Sequence, residues 1–333
     1  MSTTDIVTIG VPVYRGELFI EETLRSIQSQ THQEIQVIIS LDGPQSEAEA
    51  LCQPFLKDSR FWLVTQSTRL GWVGNLNWLM RHVATPYWCY QQQDDLMDPR
   101  YLEVLVDYAR RTPEGAVFYC DMEAFGSLSE TFIQSPVTGS ASARQLALLY
   151  EHFPAVAFRG LTRVEALRLS GGIPANEVDS FACDTVWMAA VARWGELRRV
   201  PVKLYRKRYH PDNEHMKWFG WPVEKRVKAW IVHCAAMLEQ AMLVEATAQE
   251  RRLLWLAAIG RLASSRTAIS YLPIADWTTV ERASYLDTFF EHVRTATSID
   301  IPGLLDGSWA EIQQWTTGFS QVSDRPNAIY HAI

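Results

Sequence analysis

The sequence lacks the features that would direct it to nucleic acid, to a bilayer or to an oxidising compartment. Its 333 residues carry 31 Lys and Arg against 38 Asp and Glu, so a net charge of -7 leaves no broad positive field for a polyanion. It contains no uninterrupted apolar run of the roughly 18 residues needed to span a membrane. Its five cysteines form no C-x-x-C pair, which favours reduced core thiols. We therefore predict no nucleic-acid partner and no transmembrane segment.

Targeting and common nucleotide motifs are also absent. The opening MSTTDIVTIGVPVY has neither the basic region nor the apolar region of a signal peptide, so a cytoplasmic location is expected. No G-x-G-x-x-G follows the first strand pattern, and no G-x-x-x-x-G-K-[ST] occurs. These absences disfavour dehydrogenases and P-loop enzymes.

Short β-rich runs alternate with helical patterns in the first two-thirds of the chain. Examples of the β-rich runs are IVTIGV, IQVIIS, FWLVT, YWCYQ and AVFYC. This alternation predicts an α/β domain over 1–215, with a doubly wound, mainly parallel sheet. From about 216 to 333 the pattern predicts an all-helical C-terminal domain, whose role and whose oligomeric state the sequence leaves open.

The strongest chemical feature is YQQQDDLMDP, where Asp94 and Asp95 directly follow a predicted strand. Ligands of open α/β sheets bind at the carboxyl ends of the strands. Carboxylates there suit Mg²⁺ or Mn²⁺, which proteins commonly hold with one or two acids plus substrate phosphates. A solvated turn is the alternative interpretation. Arg69 precedes a second helix start, where an anion is favoured, although a surface arginine beside a glycine turn explains it equally well.

Five segments, taken in order, resemble family 2 glycosyltransferases with the GT-A fold: VTIGVPVYRGELFIEETLRSIQSQTHQEIQVIISLDGPQ, RLGWVGNLNWLM, QQDDLMDPRYLE, GGIPANEVDSFACDTVW and YRKRYHPDN. The resemblance covers roughly the first two-thirds of the chain. It implies inverting transfer of a sugar from a nucleotide-sugar donor, with UDP favoured, and a divalent metal, Mn²⁺ or Mg²⁺. The acceptor could be a glycan, a lipid-linked glycan, a peptide or a small molecule.

The resemblance also implies roles for individual residues. Asp184 would be the general base, and a helix-dipole acid is the alternative for it. The metal would be bound by Asp94, Asp95 and His210, although a lone histidine at a strand end is often structural. Together with Arg69, the donor-site candidates are Pro12, Val13, Tyr14, Asp42, Gln92, Asp94 and Arg208.

Four positions depart from the family pattern. Leu41 precedes Asp42 where a second acid is common, and Gln92 replaces the first acid of the D-x-D motif. Cys183 and Lys207 replace a Glu and a Tyr. Gln92 and Leu41 favour one rival hypothesis, a non-catalytic nucleotide-sugar-binding module. The other rival is a sugar nucleotidyltransferase, which is disfavoured because GVPVYRGELF lacks a convincing Gly-rich, Arg-containing loop.

Two tryptophans lie in the predicted connection after His210. PDNEHMKWFGWP at 211–222 contains Trp218 and Trp221 among proline, glycine and polar residues. Indole rings stack well on sugar faces. We expect these two residues to contact the acceptor or to belong to a lid.

Overall fold

The computed structural model describes residues 5–150, 155–213, 216–263, 272 and 274–299. These residues form two compact units. The first contains 5–148, 155–175 and 182–211, and the second contains 149–150, 176–181 and the described residues from 212 onward. The first unit therefore ends at Pro211, four residues before the predicted domain boundary.

The first unit is built on one mixed sheet. Its strands are β1 (Val7–Val13), β2 (Ile35–Leu41), β3 (Phe61–Thr65), β4 (Tyr87–Tyr90), β5 (Leu96–Met97), β6 (Gly115–Gly126), β7 (Thr131–Phe132), β8 (Leu161–Arg163) and β9 (Glu196–Tyr209). The strand order is β3-β2-β1-β4-β8-β6-β9-β5, and β7 pairs with β6. Its helices are α1 (Ile20–Gln28), α2 (Ser46–Cys52), α3 (Gly71–Arg81), α4 (Tyr101–Arg110), α5 (Ala141–Tyr150), α6 (Val164–Ser170) and α7 (Cys183–Val191). The last two residues of α5 are assigned to the second unit.

Strands β3, β2, β1 and β4 are mutually parallel, as are β6 and β9. Strand β8 runs antiparallel between β4 and β6. The predicted α/β architecture is confirmed, with antiparallel pairs in its second half. Strand β6 continues to Gly126, beyond the apolar run AVFYC, because β9 supplies a long partner strand.

The core of the sheet lies around β1, whose alternate residues Val7, Ile9, Val11 and Val13 are fully buried. A parallel strand covered on both faces reads as a continuous apolar run, as observed here. Gly10 is required by a close approach, because a Cβ atom there would lie 2.0 Å from the Trp88 indole. The indole therefore packs directly over the backbone of β1.

This topology gathers the ends of several strands at one edge. Val13 pairs with Leu41 across β1 and β2, and Gly10 pairs with Tyr90 across β1 and β4. Residues 14, 42 and 91–95 therefore follow neighbouring strand ends. Strand β9 pairs antiparallel with β5, with Arg206 opposite Leu96, so the end of β9 also reaches this edge.

The second unit is helical in its described part, as predicted. It contains α8 (Met216–Phe219), α9 (Val223–Met242), α10 (Ala248–Leu262) and α11 (Thr279–Ala296). Helices α10 and α11 both pack on α9, and both begin at capping boxes, Thr247 with Glu250 and Thr278 with Glu281. The predicted helical region beyond 299 lies outside the described residues. Among the helices described, none has the length and apolar content to cross a membrane.

Candidate functional site

Asp94 and His210 form a close pair at the carboxyl edge of the sheet. Asp94 follows β4 and is 8% exposed, and His210 follows the last residue of β9. The Asp94 Oδ2 atom lies 2.8 Å from His210 Nε2, and the Phe19 ring packs against the imidazole at 5.1 Å between centroids. The fold thus brings together two predicted metal ligands that are separated by 116 positions.

Asp95, the residue after Asp94, is fully buried and is held by three donors. Its Oδ2 atom accepts from the Tyr205 hydroxyl at 3.0 Å and from Arg159 Nε at 3.3 Å. Its Oδ1 atom accepts from the backbone N–H of Arg208 at 2.9 Å. Burial, followed by the charge of Asp94, raises the pKa of Asp95 above its ordinary value. These bonds tie β9 to the D-D turn, and a metal contact by Asp95 stays a prediction.

Arg159 is the main site residue that the sequence reasoning missed. It ends a 3-10 turn, Ala157–Arg159, and is 7% exposed. Its Nη2 atom donates to Gln92 Oε1 at 2.6 Å while Nε donates to Asp95. The amide of Gln92 therefore faces an arginine, whereas its predicted donor contact stays untested. The available signal was a charged residue within the apolar stretch PAVAFRGL, since a buried arginine requires partners.

Tyr14 is fixed by a second unpredicted residue, Gln93. The Gln93 amide accepts from the Tyr14 N–H at 2.7 Å and donates to the Tyr14 carbonyl at 2.9 Å. The Arg69 guanidinium lies 4.0 Å from the centre of the Tyr14 ring. Val13 is fully buried in β1, while Pro12 is partly exposed. The loop after β1 is thus ordered, and the donor contacts of Pro12, Val13, Tyr14 and Arg69 remain predictions.

Asp42 has a local structural task at the start of α3. Its carboxylate accepts from the backbone N–H of Leu70 at 2.5 Å and of Gly71 at 3.1 Å. Arg69 lies 3.9 Å from the same carboxylate. An acid at a helix N-terminus is stabilised by the free N–H groups. The donor-site role of Asp42 stays a prediction beside this structural role.

Asp184 lies in the first turn of α7 and is partly exposed. Its Oδ1 atom accepts from the backbone N–H of Thr185 at 2.9 Å. Burial raises the pKa of Asp184, while the charges of Arg159 and Lys207 act in the opposite direction. The helix-dipole role and a general-base role are both compatible with this geometry.

The basic residues at the end of β9 face in different directions. Arg208 lies between Phe19 and Phe125, its guanidinium 4.6 and 4.4 Å from the two ring centres. Its Nε atom donates to the Asp94 carbonyl at 3.0 Å, and Nη2 pairs with Glu22. The predicted diphosphate contact of Arg208 therefore has no direct support from its present partners. Burial, followed by the charge of Arg159, lowers the pKa of Lys207 to about 8.

Trp218 and Trp221 lie in the second unit. Their rings are 6.4 Å apart and pack against Phe181, at 4.7 and 6.1 Å. Lys225 Nζ lies 4.1 Å from the centre of the Trp221 ring. Of the segment expected to form a lid, 214 and 215 lie outside the described residues. The acceptor or lid role of the two indoles stays a prediction.

The donor set fits a divalent cation that is completed by its substrate. Within the described ranges no three His, Cys, Asp or Glu side chains come together as a metal site. Asp94 and His210 supply two ligand atoms 2.8 Å apart, a spacing compatible with two adjacent ligands of one ion. Mg²⁺ and Mn²⁺ are commonly bound by few protein ligands together with phosphate oxygens and water. The pair thus fits a metal only in company with an oxygen-rich ligand.

Comparisons with known proteins agree with this architecture. Residues 8–168 match the family model described as glycosyl transferase family 2. An uncharacterized glycosyltransferase of Haemophilus influenzae is 24% identical over 135 residues, which make up 40% of this chain and 40% of that protein. The curated relatives are thus matched over 40% or less of their own length.

Two solved structures share the fold over most of the chain. TarS 1-349 of S. aureus in complex with UDP-GlcNAc has a TM-score of 0.63 at 15% identity, covering 95% of this chain and 90% of that chain. The mannosyltransferase PcManGT from Pyrobaculum calidifontis, in complex with GDP-Man and Mn²⁺, has a TM-score of 0.52 at 15% identity, covering 95% and 85%. The comparisons thus support a glycosyl transferase family 2 domain within residues 8–168.

Proposed function

We propose that this protein is an inverting glycosyltransferase that transfers a sugar from a nucleoside diphosphate donor to an acceptor hydroxyl. The observation that carries the proposal is the pairing of Asp94 with His210 at 2.8 Å at the sheet edge, with Asp184 in the first turn of α7 as a further acid. This arrangement combines a phosphate-binding position with an acid able to accept a proton. Such a combination is what transfer of a sugar from a diphosphate requires.

Asp94 and His210 would hold Mn²⁺ or Mg²⁺ together with the diphosphate of the donor. When bound, the cation would neutralise charge on the leaving diphosphate. Asp95 holds Arg208 and Tyr205 in place, so the two ligands approach the donor already oriented. The Tyr14 loop, fixed by Gln93, would border the nucleoside.

Asp184 would remove the proton from the acceptor hydroxyl as its oxygen attacks the anomeric carbon. The bond from that carbon to the phosphate oxygen breaks, and its electron pair leaves with the nucleoside diphosphate. Attack from the face opposite the leaving group inverts the anomeric centre. A carboxyl whose pKa is raised by burial is a stronger base than an exposed one, which suits this task near neutral pH.

The donor class is supported by the two solved structures with the same fold, which hold UDP-GlcNAc and GDP-Man with Mn²⁺. We favour a UDP-sugar. The acceptor side would include Trp218 and Trp221, since paired indoles form a surface suited to a sugar ring. For residues 216–333 we propose acceptor binding or oligomerisation.

A donor screen tests the proposal. The full chain is mixed with UDP- and GDP-sugars, with Mn²⁺ or with EDTA, and the melting temperature and the release of free nucleoside diphosphate are measured. We expect one donor group to stabilise the protein in Mn²⁺ and to be slowly hydrolysed. Stabilisation without any hydrolysis or transfer would instead favour a binding module, and no response to any donor would refute a nucleotide-sugar site.

A further inference from the structure

Asn77, on α3, binds the backbone of a distant loop with both ends of its amide. Its Nδ2 atom donates to the Ile173 carbonyl at 2.9 Å, and its Oδ1 atom accepts from the Ile173 N–H at 2.7 Å. The two residues are separated by 96 positions. Gly172 lies so close that a Cβ atom there would be 2.7 Å from Asn77 Oδ1. The Asn77 amide therefore satisfies both backbone groups of Ile173 and fixes the start of the loop between α6 and α7.

The same loop is attached to α7 through Trp187. The indole Nε1 atom of Trp187 donates to the Gly171 carbonyl at 3.3 Å. The Trp187 ring is 1% exposed and packs edge-on against Phe158, with 5.7 Å between the ring centres. Phe158 packs in turn against Tyr90, the last residue of β4, at 4.9 Å. Trp187 thus holds α7 against both the loop and the end of the strand that precedes the D-D turn.

The start of α7, where Asp184 lies, has little local support of its own. Ala182, the residue before the helix, has a φ angle of 49° and gives the helix no side-chain cap. A residue with a side chain rarely adopts this left-handed conformation, and such strain persists only where surrounding contacts determine the backbone. Asp184 and Trp187 are three positions apart and are therefore neighbours on the surface of α7. The position of Asp184 thus depends on the contacts that Trp187 makes.

We propose that Asn77 is a positioning residue for Asp184. It holds the loop segment 171–173, which in turn holds α7 through Trp187. This inference rests on the proposed function, in which Asp184 accepts the proton of the attacking hydroxyl. A proton acceptor must lie within hydrogen-bond distance of that hydroxyl, and a displacement of about 1 Å can lower the rate by roughly 100-fold. The proposed metal and diphosphate contacts involve neither this loop nor α7, so donor affinity should not depend on Asn77.

The test measures donor hydrolysis, in which water takes the place of the acceptor and Asp184 remains the base. It uses the full chain in Mn²⁺ with the UDP- or GDP-sugar that the donor screen selects. For Asn77→Ala, kcat should fall by roughly 10- to 100-fold, while the affinity for UDP or GDP, measured by calorimetry, changes by less than about twofold. If this variant fails to fold, Asn77→Asp replaces it, because it keeps the side-chain size and removes the donor to the Ile173 carbonyl.

Combining Asn77→Ala with Asp184→Asn separates positioning from a general loss of structure. If Asn77 acts through Asp184, its substitution should lower kcat by less than about threefold in the variant that lacks the base. A loss by the same factor with and without Asp184 would overturn the proposal. His82→Ala is the matched control, because His82 is an exposed residue that follows α3 and donates from Nδ1 to the Trp78 carbonyl at 2.8 Å. It should leave kcat unchanged.

Hydrogen exchange provides a readout that needs no turnover. Peptides covering 171–175 and 183–191 should both exchange faster in Asn77→Ala than in the wild type, because the loop and α7 lose a shared attachment. Unchanged exchange over 183–191, or an unchanged kcat, would overturn the role of Asn77 and leave the proposed function intact. A wild-type protein that binds neither UDP nor GDP would instead show that the proposed function is wrong, and the role of Asn77 with it.

Discussion

Replacing Arg159 with methionine should destabilise the first unit strongly, because Arg159 is the buried counter-ion of a buried acid. Arg159 is 7% exposed and Asp95 is 0% exposed, with 3.3 Å between Nε and Oδ2. Removing one partner of such a pair leaves an uncompensated charge and typically costs about 3–5 kcal/mol. The variant also loses the Arg159 bond to Gln92, so the turn between β4 and β5 loses two long-range attachments.

Urea unfolding measures the loss in the free energy of unfolding. Because the two units need not unfold together, hydrogen exchange of peptides from β4 and β9 shows whether the loss belongs to the first unit. Arg111→Met is the control, because its pair with Asp107 is exposed and worth only about 0.3–0.5 kcal/mol. Adding Asp95→Asn to Arg159→Met should recover part of the loss, as the unpaired charge disappears. A loss no larger than that of the Arg111 variant would refute this account of Asp95.

Three further outcomes test the site itself. Asp184→Asn should leave donor binding nearly intact, while the rate of transfer falls by roughly 10²–10⁴-fold, the usual effect of losing a general base. Near-normal turnover in this variant would favour the helix-dipole role of Asp184. Asp94→Asn and His210→Ala should each weaken UDP binding in Mn²⁺ but not in EDTA, as measured by calorimetry. If a variant binds UDP in Mn²⁺ as tightly as the wild type does, the substituted residue is not a metal ligand. Because burial raises the pKa of Asp184, the base is protonated at acidic pH, so kcat/KM should rise with pH through a pKa above that of an exposed aspartate. That rising limb should be missing from the residual activity of Asp184→Asn, and its persistence there would assign it to another group.

The sequence pattern was sufficient for the fold class and for much of the sheet edge. The β-rich runs correspond to β1, β2, β3, β4 and the start of β6. Buried parallel strands must be nearly all apolar, whereas the edge strand β3 buries only Phe61. The acids that follow them lie at the edge where such sheets bind ligands. The ordered series of family segments also led to the family that the comparisons support.

Other features depended on pairings between distant parts of the chain. Nothing local to AFR or to KLYRKRY shows that Arg159 and Tyr205 converge on Asp95, from 64 and 110 positions away. Likewise, only the contacts made by the end of β9 show that Arg208 is occupied by Glu22 and the Asp94 carbonyl. The sequence by itself determined which residues follow the buried strands, because local periodicity and propensity are short-range properties. The tertiary structure decided which charges are neutralised and which remain available, because burial and counter-ions are set by contacts across the sheet.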